Sequence, residues 1–201
     1  MTHSRFNRPS RRIVLAAGAA MLLAPPALAL SEANARTLVQ TVLNDINSVI
    51  SSGKSEAAMI RDFERIFLRY GDVPTIAISA LGPPARSASA AQRKAFVDAF
   101  SGYMARKYGK RFRDFIGGRI EVQSTQQRNR LIEVRSVAFQ PGWAPYDVTF
   151  LVSDRSGSYK FVNLLMEGIN LFQTEKVEIG AMLDRRGGNI DALIQDLKRA
   201  G

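Results

Sequence analysis

From Ala35 onward, apolar residues recur at Leu38, Val39, Val42, Leu43, Ile46, Val49 and Ile50, with Ser31 placed ahead of them as an N-cap. A repeat of three to four residues gives a helix one buried face. After Ser51-Ser52-Gly53, Ser55 is placed to cap a second helix whose inner face holds Ile60, Phe63, Phe67 and Tyr70. A short third helix follows Asp72, with Pro74 in its first turn and Leu81-Gly82-Pro83-Pro84 ending it. Ser89 and Gln92 have capping-box spacing and open a long helix with an aromatic stripe at Phe96, Phe100, Tyr103, Tyr108, Phe112 and Phe115. Gly117-Gly118 is its predicted end.

The period then changes to two. Ile120, Val122 and Ser124 alternate with Glu121 and Gln123, Ile132 and Val134 with Glu133 and Arg135, and Tyr146, Val148, Phe150 and Val152 with Asp147, Thr149 and Ser153. Tyr159 to Met166 supplies a fourth strand, and the breaks at Gln127-Arg128-Asn129, Gln140-Pro141-Gly142 and Asp154-Arg155-Ser156-Gly157 suit an antiparallel meander. Two helices close the chain, about Thr174 to Arg186 and Asn189 to Arg199, separated by Gly187-Gly188. Helices, then strands, then helices predict an α+β domain, with helices packed on one face of a twisted antiparallel sheet of about four strands.

The N-terminus changes the picture of where this domain works. Arg5, Arg8, Arg11 and Arg12 precede an apolar run from Ile13 to Ala24, and Ala27-Leu28-Ala29 has the small-residue form of a cleavage site. Residues 1–29 are therefore expected to be a cleavable export signal and residues 30–201 a single domain. Ser10-Arg11-Arg12-Ile13-Val14-Leu15 also resembles the twin-arginine export motif. The run is short for a membrane span and Pro25-Pro26 interrupts it.

Removing that segment lowers the formal net charge from +10 to +6 and takes away His3, the one histidine; the chain has no cysteine. Ser-His-Asp triads, Cys-His nucleophiles, disulfides and most zinc or copper sites are then excluded from the mature protein. No metal and no cofactor is expected.

The remaining motifs have plain structural readings. Ser52-Gly53-Lys54-Ser55 looks like the end of a phosphate-binding loop, but Ser48 stands where its first glycine is required and the segment joins two helices. Glu175 and Glu178 lie near a helix start, where negative charge is favoured, and are expected on a solvated surface. Glu167, before Gly168, is expected to act structurally at a strand break. The cations from Arg106-Lys107 to Lys110-Arg111-Phe112-Arg113 suit an exposed helix face, lipid headgroups or an acidic partner; the export signal argues against nucleic acid. Apolar residues of the long helix and the sheet suit a closed core or a lined cavity equally well.

Residues along nearly the whole mature chain carry a resemblance. They are Phe67-Leu68-Arg69-Tyr70-Gly71-Asp72, Ala80-Leu81-Gly82, Ala90-Ala91-Gln92-Arg93-Lys94-Ala95-Phe96 and Tyr108, followed by Tyr159-Lys160-Phe161-Val162-Asn163, Glu167-Gly168-Ile169-Asn170-Leu171 and Gly188-Asn189-Ile190-Asp191-Ala192-Leu193-Ile194. In order and spacing the chain resembles the MlaC family, also called the toluene-tolerance auxiliary proteins, which carry phospholipid between the two membranes of Gram-negative bacteria.

The resemblance implies a periplasmic, non-enzymatic phospholipid carrier with acyl chains held between helices and sheet. It also implies an MlaA-type outer-membrane lipoprotein complex and the MlaD-type ring of an inner-membrane ABC transporter as partners, with transient membrane-surface contact. A related branch accompanies hopanoid synthesis, so a polycyclic lipid is an alternative cargo, and a periplasmic interaction or scaffold protein with a filled core is the rival reading. On the carrier reading, residues facing the sheet–helix gap line the cargo cavity: Phe67, Leu81, Phe96, Phe100, Tyr103, Val134, Val148, Phe150, Phe161 and Leu164. Two acyl chains with about thirty methylenes would cost roughly 24 kcal/mol to expose to water, at ~0.8 kcal/mol each. Tail burial is accordingly expected to dominate recognition, and several phospholipid classes to be accepted.

Overall fold

The computed structural model describes residues 31–201, with the side chains of residues 112 and 113 left aside; the expected export signal lies outside the described residues. Six helices are described: α1 (Glu32–Ile50), α2 (Glu56–Tyr70), α3 (Val73–Leu81), α4 (Ala90–Gly109), α5 (Leu171–Arg185) and α6 (Ile190–Arg199). Between α4 and α5 run β1 (Arg119–Arg128), β2 (Leu131–Phe139), β3 (Tyr146–Ser153), β4 (Lys160–Met166) and the short β5 (Ile169–Asn170). They form one antiparallel sheet in sequence order. No helix among the described residues is long and apolar enough to cross a membrane.

The helix starts follow from their caps. Ser31, Asp72, Asn170 and Asn189 each accept a backbone N–H of the first turn, and Ser89 with Gln92 forms the full capping box, of a kind that contributes on the order of 1 kcal/mol. The Asn170 cap starts α5 at Leu171, three residues before the predicted start, because Asn170 Oδ1 accepts from Gln173 N–H at 2.9 Å. The long helix also differs from expectation. It ends at Gly109 rather than at Gly117, and Lys110–Phe115 winds on as a 3-10 segment. Gly109 lies against Ile60 of α2, so closely that an added Cβ would come within 3.1 Å of its side chain.

Alternation sets the faces of the sheet. Ile132, Val134, Ser136 and Ala138 of β2 and Val148, Phe150 and Val152 of β3 point inward, and the pairings Ile132 with Val152 and Val134 with Phe150 keep them in rows. Two bulges shift this register. One, between Val122 and Ser124, turns Thr125 inward in place of the predicted Ser124 and sets it opposite Val134. The other, between Leu151 and Val152, brings both Phe161 and Leu164 of β4 to the inner face. The fifth strand, two residues long, was below what a periodic pattern reveals.

The helices are fastened to one end of this sheet. Ser31 N–H donates to Tyr159 Oη at 2.7 Å, and Glu32 accepts from Gln127 N–H at 3.0 Å and Thr125 Oγ1 at 3.1 Å. Asp72 N–H donates to the Phe161 carbonyl at 2.9 Å, Gly71 bridges Phe161 in parallel, and Lys160 Nζ donates to the Arg69 carbonyl. Residues 125–127 and 159–161 all lie where β1 ends and β4 begins. Across the helical layer, α6 runs parallel to α4: Gln92 meets Asp191 at their starts, and Arg106 donates to the Leu197 and Ala200 carbonyls at their ends.

Gly71 is required by this fastening. A Cβ there would stand 2.8 Å from the Phe67 carbonyl and 3.0 Å from the Phe161 ring, whereas a Cβ at Gly180 of α5 meets nothing within 4 Å. Gly71→Ala is expected to cost ~1–3 kcal/mol by overpacking, and Gly180→Ala to add up to ~1 kcal/mol by helix propensity. Urea unfolding midpoints of the two variants, moving in opposite directions, check this.

Candidate functional site

A cavity of about 840 Å³ opens between the sheet and the helices. α1 gives it Val42, Ile46 and Ile50, and α2 gives Phe63, Ile66 and Phe67, each set at the three- or four-residue spacing of one helical face. Met104 and Tyr108 reach it from the last turns of α4, and Phe172 from α5. Val148, Phe150, Phe161 and Leu164 form its floor on the sheet. Phe67 is in ring contact with Phe161 at 6.0 Å and Phe172 at 6.4 Å, and Phe161 meets Phe150 edge-on at 6.2 Å. These contacts join α2, α5 and the sheet along one aromatic wall.

The exposed members of the lining lie together. Arg111, Asp114, Trp143, Ala144, Pro145 and Glu167 are exposed, while the other lining residues are buried or half-buried. They therefore mark the mouth. It sits at the end of the sheet where β2 and β4 finish and β3 begins, opposite the end where the helices are fastened.

Of the residues expected to line the gap, Phe67, Val148, Phe150, Phe161 and Leu164 stand on the cavity wall. Leu81, Phe96, Phe100, Tyr103 and Val134 do not; all five are buried in the closed core. The reason lies in which neighbour covers each face. α6, α2 and α3 pack along α4 and bury its aromatic stripe until the last turns, α3 packs Leu81 against its helical neighbours, and α1 lies across β1 and β2 and covers Val134. Sequence periodicity marks a buried face without saying whether another element fills the space opposite it. The stripes Val42, Ile46, Ile50 and Phe63, Ile66 carried the right period for wall residues, and the lone Trp143 beside Pro141-Gly142 was the available signal for the mouth.

A polar cluster behind the wall overturns the reading of Glu175 as solvated surface. Glu175 is completely buried, and its Oε1 accepts from Lys107 Nζ at 2.8 Å and from Tyr108 Oη. Glu175 Oε2 has no partner among the described residues, so Lys107 supplies the neutralising charge. Lys107 also donates to Tyr103 Oη at 2.9 Å and pairs with the exposed Glu178. Much of the basic run is thus committed: Arg106 to carbonyls at the end of α6, Lys107 to this cluster, Lys110 to the Gly201 carbonyl. Arg111 remains at the mouth, 5.9 Å above the Tyr108 ring.

The Ser52–Ser55 turn holds no phosphate-type loop. It links α1 to α2, and Lys54 pairs with buried Asp62 at 2.6 Å. Glu167 acts as expected of a strand break: its φ is 50°, and its carboxylate accepts Asp147 N–H at 2.5 Å across the β3–β4 end.

Burial opposes the Lys107 ammonium, but its bonds to Glu175 and Glu178 outweigh that and hold its pKa above the ordinary lysine value. The same lysine holds the exposed Glu178 below the usual carboxylate range, against a smaller opposing effect of partial desolvation. Burial first, then Glu175, push the Tyr103 and Tyr108 hydroxyls upward, so both remain protonated. The Glu178 contribution to stability is complete above its unfolded pKa and is lost as pH falls through the lowered folded value. That of Lys107 is complete below its unfolded pKa and is lost as pH rises through the raised one. Lys107→Met, which strands the Glu175 carboxylate, is expected to cost ~3–5 kcal/mol at neutral pH, and adding Glu175→Leu to recover a large part of it. Urea titrations of the single and double variants at pH 7 measure both.

The sequence profile of one protein family, described as MlaC protein, matches residues 36–199. Among solved structures, the fold is similar to that of a phospholipid-binding protein from Ralstonia solanacearum, solved in complex with a phospholipid. The two chains are 18% identical over 83% of this chain and 96% of that one, with a TM-score of 0.72. At this identity the likeness is one of fold.

Proposed function

The chain belongs to the MlaC family, and from that premise we propose that it is a periplasmic carrier that shields the acyl chains of a phospholipid while moving it between the outer and inner membranes. The observation that carries this reading is the apolar cavity of about 840 Å³, closed by the helix fastenings at one end of the sheet and open at the other. That volume falls within the range of ligand sites, roughly 300–1,000 Å³. The same space speaks against a scaffold with a filled core. Carriage makes and breaks no bond, so in this reading the cavity needs no catalytic group.

The partners in this reading are an MlaA-type lipoprotein complex at the outer membrane and the MlaD-type ring of an ABC transporter at the inner membrane, with transient contact at a membrane surface. The mouth supports recognition by tails more than by headgroup. Arg111, Asp114 and Glu167 are charges of both signs among the described mouth residues, all exposed, where each interaction is screened by water. Residues 1–29 act in this scheme as the export signal that brings the chain to the periplasm.

Mass spectrometry of lipid extracted from the purified protein is expected to find phospholipid in near-stoichiometric amount. A polycyclic lipid in its place would redirect the cargo assignment, and an empty protein would remove the carrier reading. Leu164→Trp, which intrudes on the floor, should lower the bound lipid several-fold, whereas Phe96→Leu in the closed core should lower stability and leave lipid per folded molecule unchanged. N-terminal sequencing of the periplasmic protein is expected to start at Leu30, and an intact N-terminus held in the membrane would defeat the export assignment.

A further inference from the structure

Five large apolar side chains are exposed among those described: Leu68, Ile116, Trp143, Ile169 and Val177. Three of them gather at one end of the sheet. Ile116 is in the turn that enters β1, Trp143 in the turn between β2 and β3, and Ile169 directly follows the turn that leaves β4. Antiparallel pairing makes these neighbours in space: Arg119 stands opposite Phe139, Val148 opposite Met166, and Met166 opposite Ile169. The first two turns touch, since Gln140 Nε2 donates to the Asp114 carbonyl at 3.2 Å and a Cβ on Gly117 would lie 3.6 Å from the Pro141 ring. Trp143 is itself a lining residue of the mouth.

The other end of the sheet shows the contrast. Its turns read Gln127-Arg128-Asn129-Arg130 and Asp154-Arg155-Ser156-Gly157-Ser158, with no large apolar residue. Leu68, in the last turn of α2, is a single exposed apolar side chain toward that end, so a cluster of them is confined to the end that opens the cavity. Ile116, Trp143 and Ile169 are 54%, 71% and 66% exposed, which is unusual for three such residues on adjacent turns. The β-turn closed by Trp143 N–H on the Gln140 carbonyl at 3.1 Å, with Gly142 at φ 80°, holds the indole outward.

We propose that this rim docks the protein on a phospholipid bilayer, with Trp143, Ile116 and Ile169 entering the boundary between headgroups and acyl chains and setting the cavity mouth against the lipid. The inference rests on the reading of the cavity as a lipid site and names the surface that meets the membrane. Two features commit the rim to this occupant. Tryptophan prefers the water–hydrocarbon boundary, where its ring is buried and its N–H stays wet. Among the described residues the charges beside it are of both signs, Arg111 and Arg119 with Asp114, Glu121 and Glu167, which complements the phosphate and ammonium of zwitterionic headgroups and gives little net attraction to an anionic surface. Docking is then driven by apolar insertion, and the overall positive charge of the chain matters little to it.

The chain has one tryptophan, so its fluorescence reports the rim directly. Protein carrying its co-purified lipid is mixed with phosphatidylcholine vesicles bearing brominated acyl chains, with and without phosphatidylglycerol, at low and high salt. The expected result is a blue shift and quenching of Trp143 that depend weakly on salt and on phosphatidylglycerol and reverse when vesicles are removed. Replacing Ile116 and Ile169 by serine, neither of them on the cavity wall, should weaken partitioning about tenfold, roughly 1.4 kcal/mol, while circular dichroism and lipid content stay unchanged. An indole indifferent to vesicles in lipid-loaded protein would overturn the docking and assign the rim to a protein partner. Quenching that persists after vesicle removal would report brominated cargo in the cavity, and quenching that requires phosphatidylglycerol at low salt would make the contact electrostatic; either overturns the proposal. Lipid content of the same preparation, read by mass spectrometry, tests the carrier reading separately.

Discussion

Backbone contact between α2 and β4 sets the geometry on which the cavity depends. Gly71 lies against Phe161, and Asp72 N–H donates to the Phe161 carbonyl. With Ser31 on Tyr159 and Glu32 on Gln127, this pins both N-terminal helices to the same end of the sheet. A helix held at one end and packed along its neighbours cannot settle onto the far end without breaking those contacts. The sheet and helices therefore enclose a space closed at one end and open at the other, and the apolar side chains between them face a space that no other described element fills.

Such a space is costly when it holds water. Close-packed interiors leave few voids, and apolar surface facing water forfeits about 25 cal/mol per Å². The aromatic contacts of Phe67 with Phe161 and Phe172, and of Phe150 with Phe161, stiffen the wall against collapse. A flexible apolar guest relieves the cost without demanding a fixed headgroup pose. Lipid carriage, the function proposed above, is a use that this shape favours.

The Lys107–Glu175–Tyr108 cluster serves a different end. Ion pairs buried this deeply are seldom a net source of stability, because desolvation offsets their attraction. What they provide is position: Glu175 of α5 is held by two consecutive side chains of α4, one of which, Tyr108, forms part of the cavity wall. The polar pair fixes the relation of two helices beside the cavity, where apolar contacts alone would allow them to slide.

The sequence by itself determined the order of the helices and of the four long strands, and the apolar faces of most of them. Caps at Ser31 and Ser89, helix starts at Asp72 and Asn189, glycine and proline breaks, and the change of period after Gly118 all act within a few residues, so local stereochemistry makes them legible. Family membership was legible for a related reason, since matching residues recur in order along nearly the whole chain. The tertiary structure alone decided which buried faces meet each other and which meet a cavity. Phe100 and Phe67 carry the same helical period, yet α4's neighbours cover the first while the fastened end of α2 leaves the second beside open space. Glu175 shows the same limit, because a carboxylate near a helix start looks solvated until Lys107, 68 residues away, arrives to neutralise it. Burial and cavity walls are properties of what stands opposite a side chain, and that depends on contacts between distant segments that no local pattern records.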